Sequence, residues 1–330
     1  MRTVITGGAG FIGSHLTDHL LEAGDTVVVL DDFSTGSIAN LAHHAHDPRL
    51  QVVEGTVLNR RVVEGVVADA DRIFHLAAAV GVRRIIDEPL KSLRVNITGT
   101  ENVLDAALAR GVTMVLASTS EIYGKNTANR LSEDSDRILG SPLMSRWSYA
   151  AAKAIDEALA HAYWRELGLK VATARLFNTV GPRQTGRYGM VVPTLVSQAL
   201  RGETLTVFGD GRQTRCFSYV GDIVPALVSL SEVPAALGLA FNLGGLREVS
   251  ILELAGRIIE LLDSSSDIEL VPYDKAYGEG FEDMRRRMPD ISLAANVLHF
   301  RPQTNLDEII MRVAEGLSVA SCLEASSASL

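Results

Sequence analysis

The chain has 330 residues, 47% of them hydrophobic, and a formal net charge of −9. That much apolar material can bury a large core, while an acidic chain with a pI near 5.4 excludes a nucleic-acid partner, which needs a basic face. It opens straight into a strand with no basic-then-apolar leader, shows no run of about 18 apolar residues, and places Cys216 and Cys322 far apart, so a reduced cytoplasmic protein with no membrane partner is expected.

Short β-branched runs alternate with longer amphipathic segments through the first half. Strands are predicted over 3–6, 26–30, 51–53, 72–76, 114–117 and 171–176, and helices over 11–22, 96–110 and 149–166. Several strands are nearly continuous in apolar residues, as expected when helices cover both faces of a parallel sheet. The predicted fold is α/β, a Rossmann-type doubly wound parallel sheet. After "FNTVGPRQTG" the texture shifts to shorter pieces with more Gly, Pro and Arg, up to about Tyr219, and "AFNLGG" (240–245) reads as a strand returning to the sheet. A nucleotide-binding unit over 1–180 is therefore expected, with returning segments near 219–246. A smaller interleaved unit would occupy mainly 181–330. "SSSDIE" near 264 reads as a polar loop, and the closing "ASSASL" is expected to fray.

"VITGGAGFIGSHL" carries Gly8-x-Gly10-x-x-Gly13, and equally Gly7-x-x-Gly10-x-x-Gly13, between a strand and a helix. Glycine here allows a tight turn and close approach of backbone N–H groups to a pyrophosphate, with the helix N-terminus facing the negative charge. The next strand ends "VVLDD", which puts Asp31 where a carboxylate accepts from adenosine ribose hydroxyls. A 2′-phosphate beside two carboxylates would be repelled, so NAD is expected rather than NADP. The bland alternative is a Gly-rich turn before a core helix.

"LASTSEIYG" (116–124) begins as a buried strand and then releases three hydroxyls and Glu121, a carboxylate that is costly to leave dry. "SYAAAK" places Tyr149 and Lys153 four apart on one helix face, where an ammonium would lower the phenol towards use as a base.

With "HLAA", "RLFNTVGPR", "VFGDGRQTRCFSYVGDI" and "FNLGG" following in the same order, these stretches resemble the extended short-chain dehydrogenase/reductase superfamily over almost the whole chain. The resemblance implies a nucleotide-sugar enzyme working with NAD. It implies cofactor contacts from Gly7, Gly10, Phe11, Ile12, Gly13, Asp31, Leu76, Ala77, Ala78, Tyr149 and Lys153. Thr119 and Tyr149 would bracket the sugar 4-hydroxyl, Lys153 would hold the nicotinamide ribose and tune Tyr149, and Asn178 would touch the substrate pyrophosphate. Arg215 resembles the arginine that clamps the nucleotide phosphates, and Val192, in "MVVP", would pack by the base. One departure is Thr56, where the family usually has an acid that holds adenine. A homodimer through the 96–110 and 149–166 helices is implied as well, and the nucleobase, UDP or dTDP, stays open.

The reaction turns on residues 119–121. The 4-epimerases of the superfamily resemble Ser-Ser-x-x-Val-Tyr-Gly and the 4,6-dehydratases Thr-Asp-Glu. Here Thr119-Ser120-Glu121 keeps the Glu but replaces the acid that would expel a hydroxyl. That pattern, with "AYGEGFEDMRRRMPDI" (276–291) and "SRWSYAAAK", resembles the UDP-glucuronate decarboxylases, and aligning on Pro289 assigns their arginine implicated in catalysis to Arg287. The expected reaction is oxidation at carbon 4, loss of carbon dioxide and re-reduction to UDP-xylose, with Thr119, Ser120, Glu121, Tyr149, Lys153 and Arg287 catalytic. A UDP-glucuronate or UDP-hexose 4-epimerase is the alternative. A non-enzymatic NAD-sensing scaffold would be expected to lose Tyr149 or Lys153. Glu121 has a blander reading as a turn cap, and the "RRR" run as a solvated face. "HHAH" (His43, His44, His46) looks like a metal cluster, but no partner carboxylate or cysteine is evident in the sequence, so no metal is expected. His75 reads as a packed structural histidine.

Overall fold

A computed structural model describes residues 1–81, 87–186, 189–277 and 283–327, with side chains to Val319. Six strands build the first half of the chain: β1 (Arg2–Thr6), β2 (Thr26–Asp31), β3 (Leu50–Glu54), β4 (Arg72–His75), β5 (Thr113–Thr119) and β6 (Val171–Leu176). The shorter strands that follow are β7 (Thr179–Val180), β8 (Leu205–Phe208), β9 (Thr214–Cys216), β10 (Ser218–Tyr219), β11 (Ala240–Leu243), β12 (Glu248–Ser250), β13 (Ile268–Val271) and β14 (Arg286–Arg287). The helices are α1 (Phe11–Glu22), α2 (Arg60–Val67), α3 (Pro89–Arg110), α4 (Ser148–Leu167), α5 (Val191–Leu200), α6 (Val220–Glu232), α7 (Ile251–Leu261), α8 (Tyr273–Tyr277), α9 (Ser292–Val297) and α10 (Leu306–Ser327).

Seven strands form one sheet in the order β11-β6-β5-β4-β1-β2-β3, every pair parallel. Because successive strand residues face opposite sides, neighbours in β1 enter different cores. Ile5 joins Leu16, Leu20, Ile223 and Leu227 beneath α1 and α6. Val4 joins Val63, Val67, Val103 and Leu104 beneath α2 and α3. Each fully buried aliphatic side chain of this kind contributes about 1.5–3 kcal/mol. A third core, with Leu195, Val207, Leu254, Ile258, Ile309 and Val313, joins α5, α7 and α10 to the small β13–β8 sheet.

The chain leaves β1 towards β2 and β3 on one side and returns through β4, β5 and β6 on the other, so strand order reverses between β1 and β4. Ligands of open α/β sheets bind outside the strand carboxyl ends at such a switch point. β11 pairs with β6 (Ala240↔Thr173 to Leu243↔Leu176), which is the returning strand expected from "AFNLGG". Among the predicted elements, β5 and α3 run furthest beyond their sequence patterns. β5 reaches Thr119 because Ser118 and Thr119 still pair with Arg175 and Leu176. α3 begins at Pro89, a favoured first helical residue. α10 continues to Ser327, into the segment expected to fray. No helix among the described residues is long and apolar enough to cross a membrane.

Candidate active site

One continuous cavity of about 500 Å³ runs from the β1–α1 turn to β9 and β14. Its first end is bare backbone. Gly7 has φ +74°, and a Cβ there would meet the Ala77 nitrogen at 2.7 Å; a Cβ on Gly13 would meet the Gly7 carbonyl oxygen at 2.2 Å. These contacts hold α1 against the sheet, with Gly10 as its N-cap, no side-chain cap and no acid in the first turn. The first N–H donors of α1 therefore have no side-chain partner and suit a pyrophosphate. Asp31 ends β2 in the same cavity; its Oδ2 accepts from the Ala9 N–H (2.9 Å) and its Oδ1 from the Phe33 N–H (2.8 Å). Burial raises its pKa above the usual aspartate value, and each oxygen retains acceptor capacity for a hydroxyl. The cradle and the acid together fit a dinucleotide.

At the other end, β5 stops in a 3-10 turn over Ser120–Tyr123. The Thr119 hydroxyl caps it by accepting from the Glu121 N–H at 3.2 Å. Ile122 and Tyr123 are fully buried, and the Tyr123 hydroxyl donates to Asn242 Oδ1 at 2.7 Å. Anchored so, the turn directs Glu121 into the cavity. Its side chain is 16% exposed and does not cap the turn. Instead Glu121 accepts from Arg146 at 2.5 and 3.3 Å and from Arg287 at 3.4 Å. Burial would push this carboxyl up, but Arg146 and then Arg287 outweigh it and hold it at about 2, so Glu121 is a carboxylate throughout the neutral range.

Strand register explains why two arginines meet here. β14 pairs with β9 so that Arg287 lies opposite Arg215, an arrangement that needs compensating anions. Arg215 donates to Asp283 Oδ2 (2.9 Å) and to the carbonyls of Thr214 and Met284; Tyr273 donates to the same Asp283 oxygen at 3.1 Å. Arg287 donates to Ser120 Oγ at 3.2 Å, and burial, then Arg215, lowers its guanidinium to about 10. Among the described residues at this end, Arg146, Arg215 and Arg287 thus face Glu121 and Asp283 on the cavity wall, three cations against two anions. Of the "RRR" run, Arg285 pairs with exposed Asp210 and Arg286 with Glu248, while Arg287 turns inward.

Tyr149, at the start of α4, shares a hydrogen bond with the Thr119 hydroxyl. The Tyr149–Lys153 spacing predicts a lowered phenol, and the structure corrects this. Burial first, then Glu121 and Asp156, push the phenol above its usual range. The Lys153 ammonium donates to Asp156 Oδ2 at 2.9 Å with both groups buried, so its charge is compensated locally.

Among the sequence-predicted residues, Thr119, Ser120, Glu121, Tyr149, Arg287, the three glycines, Phe11, Ile12, Asp31, Leu76, Ala77, Ala78, Asn178, Val192 and Arg215 all line the cavity. Lys153 lies behind the wall. Thr56 lines it too, and Asn178 takes a left-handed backbone (φ +36°) while donating to the Cys216 carbonyl at 3.1 Å. Residues 278–282 of the arginine-tail motif and 187–188 of "RQTGRYGMVVP" lie outside the described residues. Sequence reasoning missed Arg146 and Asp283; the available signals were an arginine three residues before Tyr149 and an acid preceding an arginine run. His75 is neutral and packed, bonded to Thr6 (2.7 Å) and Thr100 (3.0 Å). "HHAH" needs a correction: a carboxylate is in place. Asp18 Oδ1 meets His43 (2.8 Å) and His44 (3.1 Å), while its Oδ2 takes Arg183 at 2.7 Å. The three cationic or donor partners already share its charge, making Asp18 a hub between α1, the 38–44 turn and the loop after β7.

A family model described as GDP-mannose 4,6 dehydratase matches residues 4–313. The UDP-N-acetyl-alpha-D-glucosaminuronate decarboxylase of Bacillus cytotoxicus is 39% identical over 93% of this chain and 94% of its own length. UDP-glucuronic acid decarboxylase 1 of Arabidopsis thaliana is 39% identical over 95% of this chain and 69% of its own. The crystal structure of UDP-glucuronic acid 4-epimerase from Bacillus cereus, in complex with UDP-glucuronic acid and NAD, superposes with a TM-score of 0.87 at 28% identity, covering 97% of this chain and 100% of that one. On the family match and the decarboxylase relatives, the chain belongs to the GDP-mannose 4,6-dehydratase family of the extended short-chain dehydrogenase/reductases, which are NAD-dependent nucleotide-sugar enzymes.

Proposed function

We propose that the chain decarboxylates a nucleotide uronate, UDP-glucuronate to UDP-xylose, through a 4-keto sugar. The observation that carries this reading is the surplus of one cation among the described residues at the sugar end, beside a turn that offers Ser120 where expulsion of a hydroxyl would need an acid. Bound NAD would accept the hydride from sugar carbon 4 and later return it. The cofactor's holders would be Gly7, Gly10, Phe11, Ile12, Gly13, Asp31, Leu76, Ala77, Ala78 and Lys153.

Tyr149, hydrogen-bonded to Thr119, would act as a phenolate to take the proton from the 4-hydroxyl and later give it back; the positive charge of bound NAD would favour that form against the burial that raises the phenol. The oxidised uronate is a β-keto acid. Its bond from carbon 5 to the carboxyl carbon breaks, carbon dioxide leaves, and the electron pair moves onto the 4-oxygen, where Thr119 and Tyr149 are the donors. Carbon 5 then takes a proton, and the donors facing that end are the Ser120 hydroxyl and the Arg287 guanidinium. Glu121, held as an anion, contributes charge rather than a proton. Asn178 and Arg215 would hold the pyrophosphate and Val192 the base. The homodimer would use α3 and α4, where Leu90, Ile155 and Leu167 are exposed. A cytoplasmic location fits Cys216, a buried free thiol. The units expected over 1–180 and 181–330 would supply the cofactor and sugar-nucleotide ends respectively.

The experiment is product mass analysis after incubation with NAD and UDP-glucuronate, the N-acetylated uronate, or UDP-glucose. Carbon dioxide and a pentose product are expected from UDP-glucuronate. The epimerase reading, favoured by the likeness to the Bacillus cereus 4-epimerase, predicts an isomer of unchanged mass and would replace this one.

A further inference from the structure

We propose that Arg146 is a positioning residue that takes up the charge of Glu121, leaving the charge of Arg287 for the substrate's carboxylate and so setting a preference for a uronate over a neutral sugar. The inference rests on the uronate reading above.

Four observations carry it. Arg146 is buried and reaches Glu121 through both terminal nitrogens, at 2.5 and 3.3 Å, whereas Arg287 reaches it through one at 3.4 Å. Arg146 also lies 3.8 Å from Asp283, which Arg215 holds at 2.9 Å. The guanidinium also rests over the Trp147 ring, 5.4 Å from its centroid, in a short 3-10 turn leading into α4. Finally, with Glu121 paired more closely to Arg146 and Asp283 to Arg215, Arg287 is the cation of this cluster, among the described residues, with the loosest anion contact, 3.4 Å to Glu121.

Among the described residues, the charged and titratable groups facing Glu121 are Arg146 from the turn before α4, Arg287 from β14, Arg215 from β9 and Tyr149 from α4. Without Arg146, Glu121 would draw on Arg287, and burial would raise its pKa with fewer cations opposing it. Protonating Glu121 would then release Arg287 again. A plain loss of one positive charge would instead weaken anion binding equally at every pH.

The test is calorimetric titration of the NAD-loaded protein with UDP-glucuronate and with UDP-glucose at pH 7.5 and 5.5. Wild type should prefer the uronate at both values, because its Glu121 stays ionised. Arg146→Gln should bind the uronate about tenfold more weakly at pH 7.5, regain much of that at pH 5.5, and bind UDP-glucose as wild type does. Arg146→Lys, which keeps the charge should the glutamine variant fail to fold, should retain a pH-independent preference. An unchanged preference in Arg146→Gln, a deficit equal at both pH values, or a lysine variant without preference would overturn the proposal. Absence of carbon dioxide release with these binding results intact would sink the decarboxylase reading alone.

Discussion

At the nucleotide end the cavity wall is backbone, supplied by one contiguous stretch from Gly7 to Gly13 with Asp31 and Leu76–Ala78 beside it. At the sugar end the wall is side-chain charge: Glu121, Arg146, Arg215, Asp283 and Arg287 come from several parts of the chain, three cations sharing two anions. The first end is shaped by what is missing, since a single methyl group would fill it. The second is shaped by a balance that one altered charge disturbs. A wall of bare N–H groups suits a ligand shared by a whole superfamily, and a charge balance suits discrimination among sugars that differ by a carboxylate.

The sharpest way to break the second end is Glu121→Gln. A neutral amide cannot hold Arg146 and Arg287 as the carboxylate does, and two buried guanidiniums lose their anion. Carbon dioxide release should fall by about 10²–10⁴-fold, while NAD affinity, set at the far end of the cavity, stays at the wild-type value in a fluorescence or calorimetric titration. Near-wild-type release in that variant would leave the carboxylate a structural role only.

The first end breaks by addition. In Gly13→Ala the new Cβ would lie 2.2 Å from the Gly7 oxygen and 2.7 Å from the Gly8 Cα, both backbone atoms that cannot rotate away. The α1–β1 junction must open, at a cost of about 1–3 kcal/mol. The expected result is a lower melting temperature together with NAD affinity weakened by about tenfold or more. Unaltered NAD affinity would mean that the cradle is looser than its contacts indicate.

The same contrast explains what could be read from the amino-acid order. The glycine cradle was legible because its residues are adjacent and its logic is backbone geometry, which a short pattern carries whole. Six strands and the returning 240–243 segment were legible through apolar runs. Glu121, Arg215 and Arg287 could be picked out by motif, but not their partners. Glu121 meets Arg146 across 25 positions and Arg215 meets Asp283 across 68, and pairings of that kind exist only after folding. Asp18 stayed hidden behind "HHAH" for the same reason. The direction of the Tyr149 shift failed similarly: the four-residue spacing names Lys153, while Asp156, three residues further on, takes its charge.

His75, at the end of β4 between the two regions, sharpens the comparison most gently, through pH. Its imidazole is fully buried between Thr6 and Thr100, and burial, then Lys153, lowers its pKa from 6.5 to about 3. The unfolded chain therefore takes up a proton below pH 6.5 that the folded protein refuses until about pH 3, so this contribution is complete above 6.5 and is lost as pH falls. The slope is about 1.4 kcal/mol per pH unit. Glu121, lowered from 4.5 to about 2, acts in the same sense but only below pH 4.5. Asp31, Glu133 and Asp156, whose pKa values are raised, act in the opposite sense. All of these are common to wild type and His75→Gln, so the difference between the two isolates His75. Urea unfolding at pH 6.5 and 5.5 should show wild type losing about 1 kcal/mol more than the variant over that interval, because the unfolded imidazole is already half protonated at its start. Equal losses would mean that the imidazole accepts its proton in the folded state, which would place a new positive charge beside the glycine cradle and erase the electrostatic difference between the two ends.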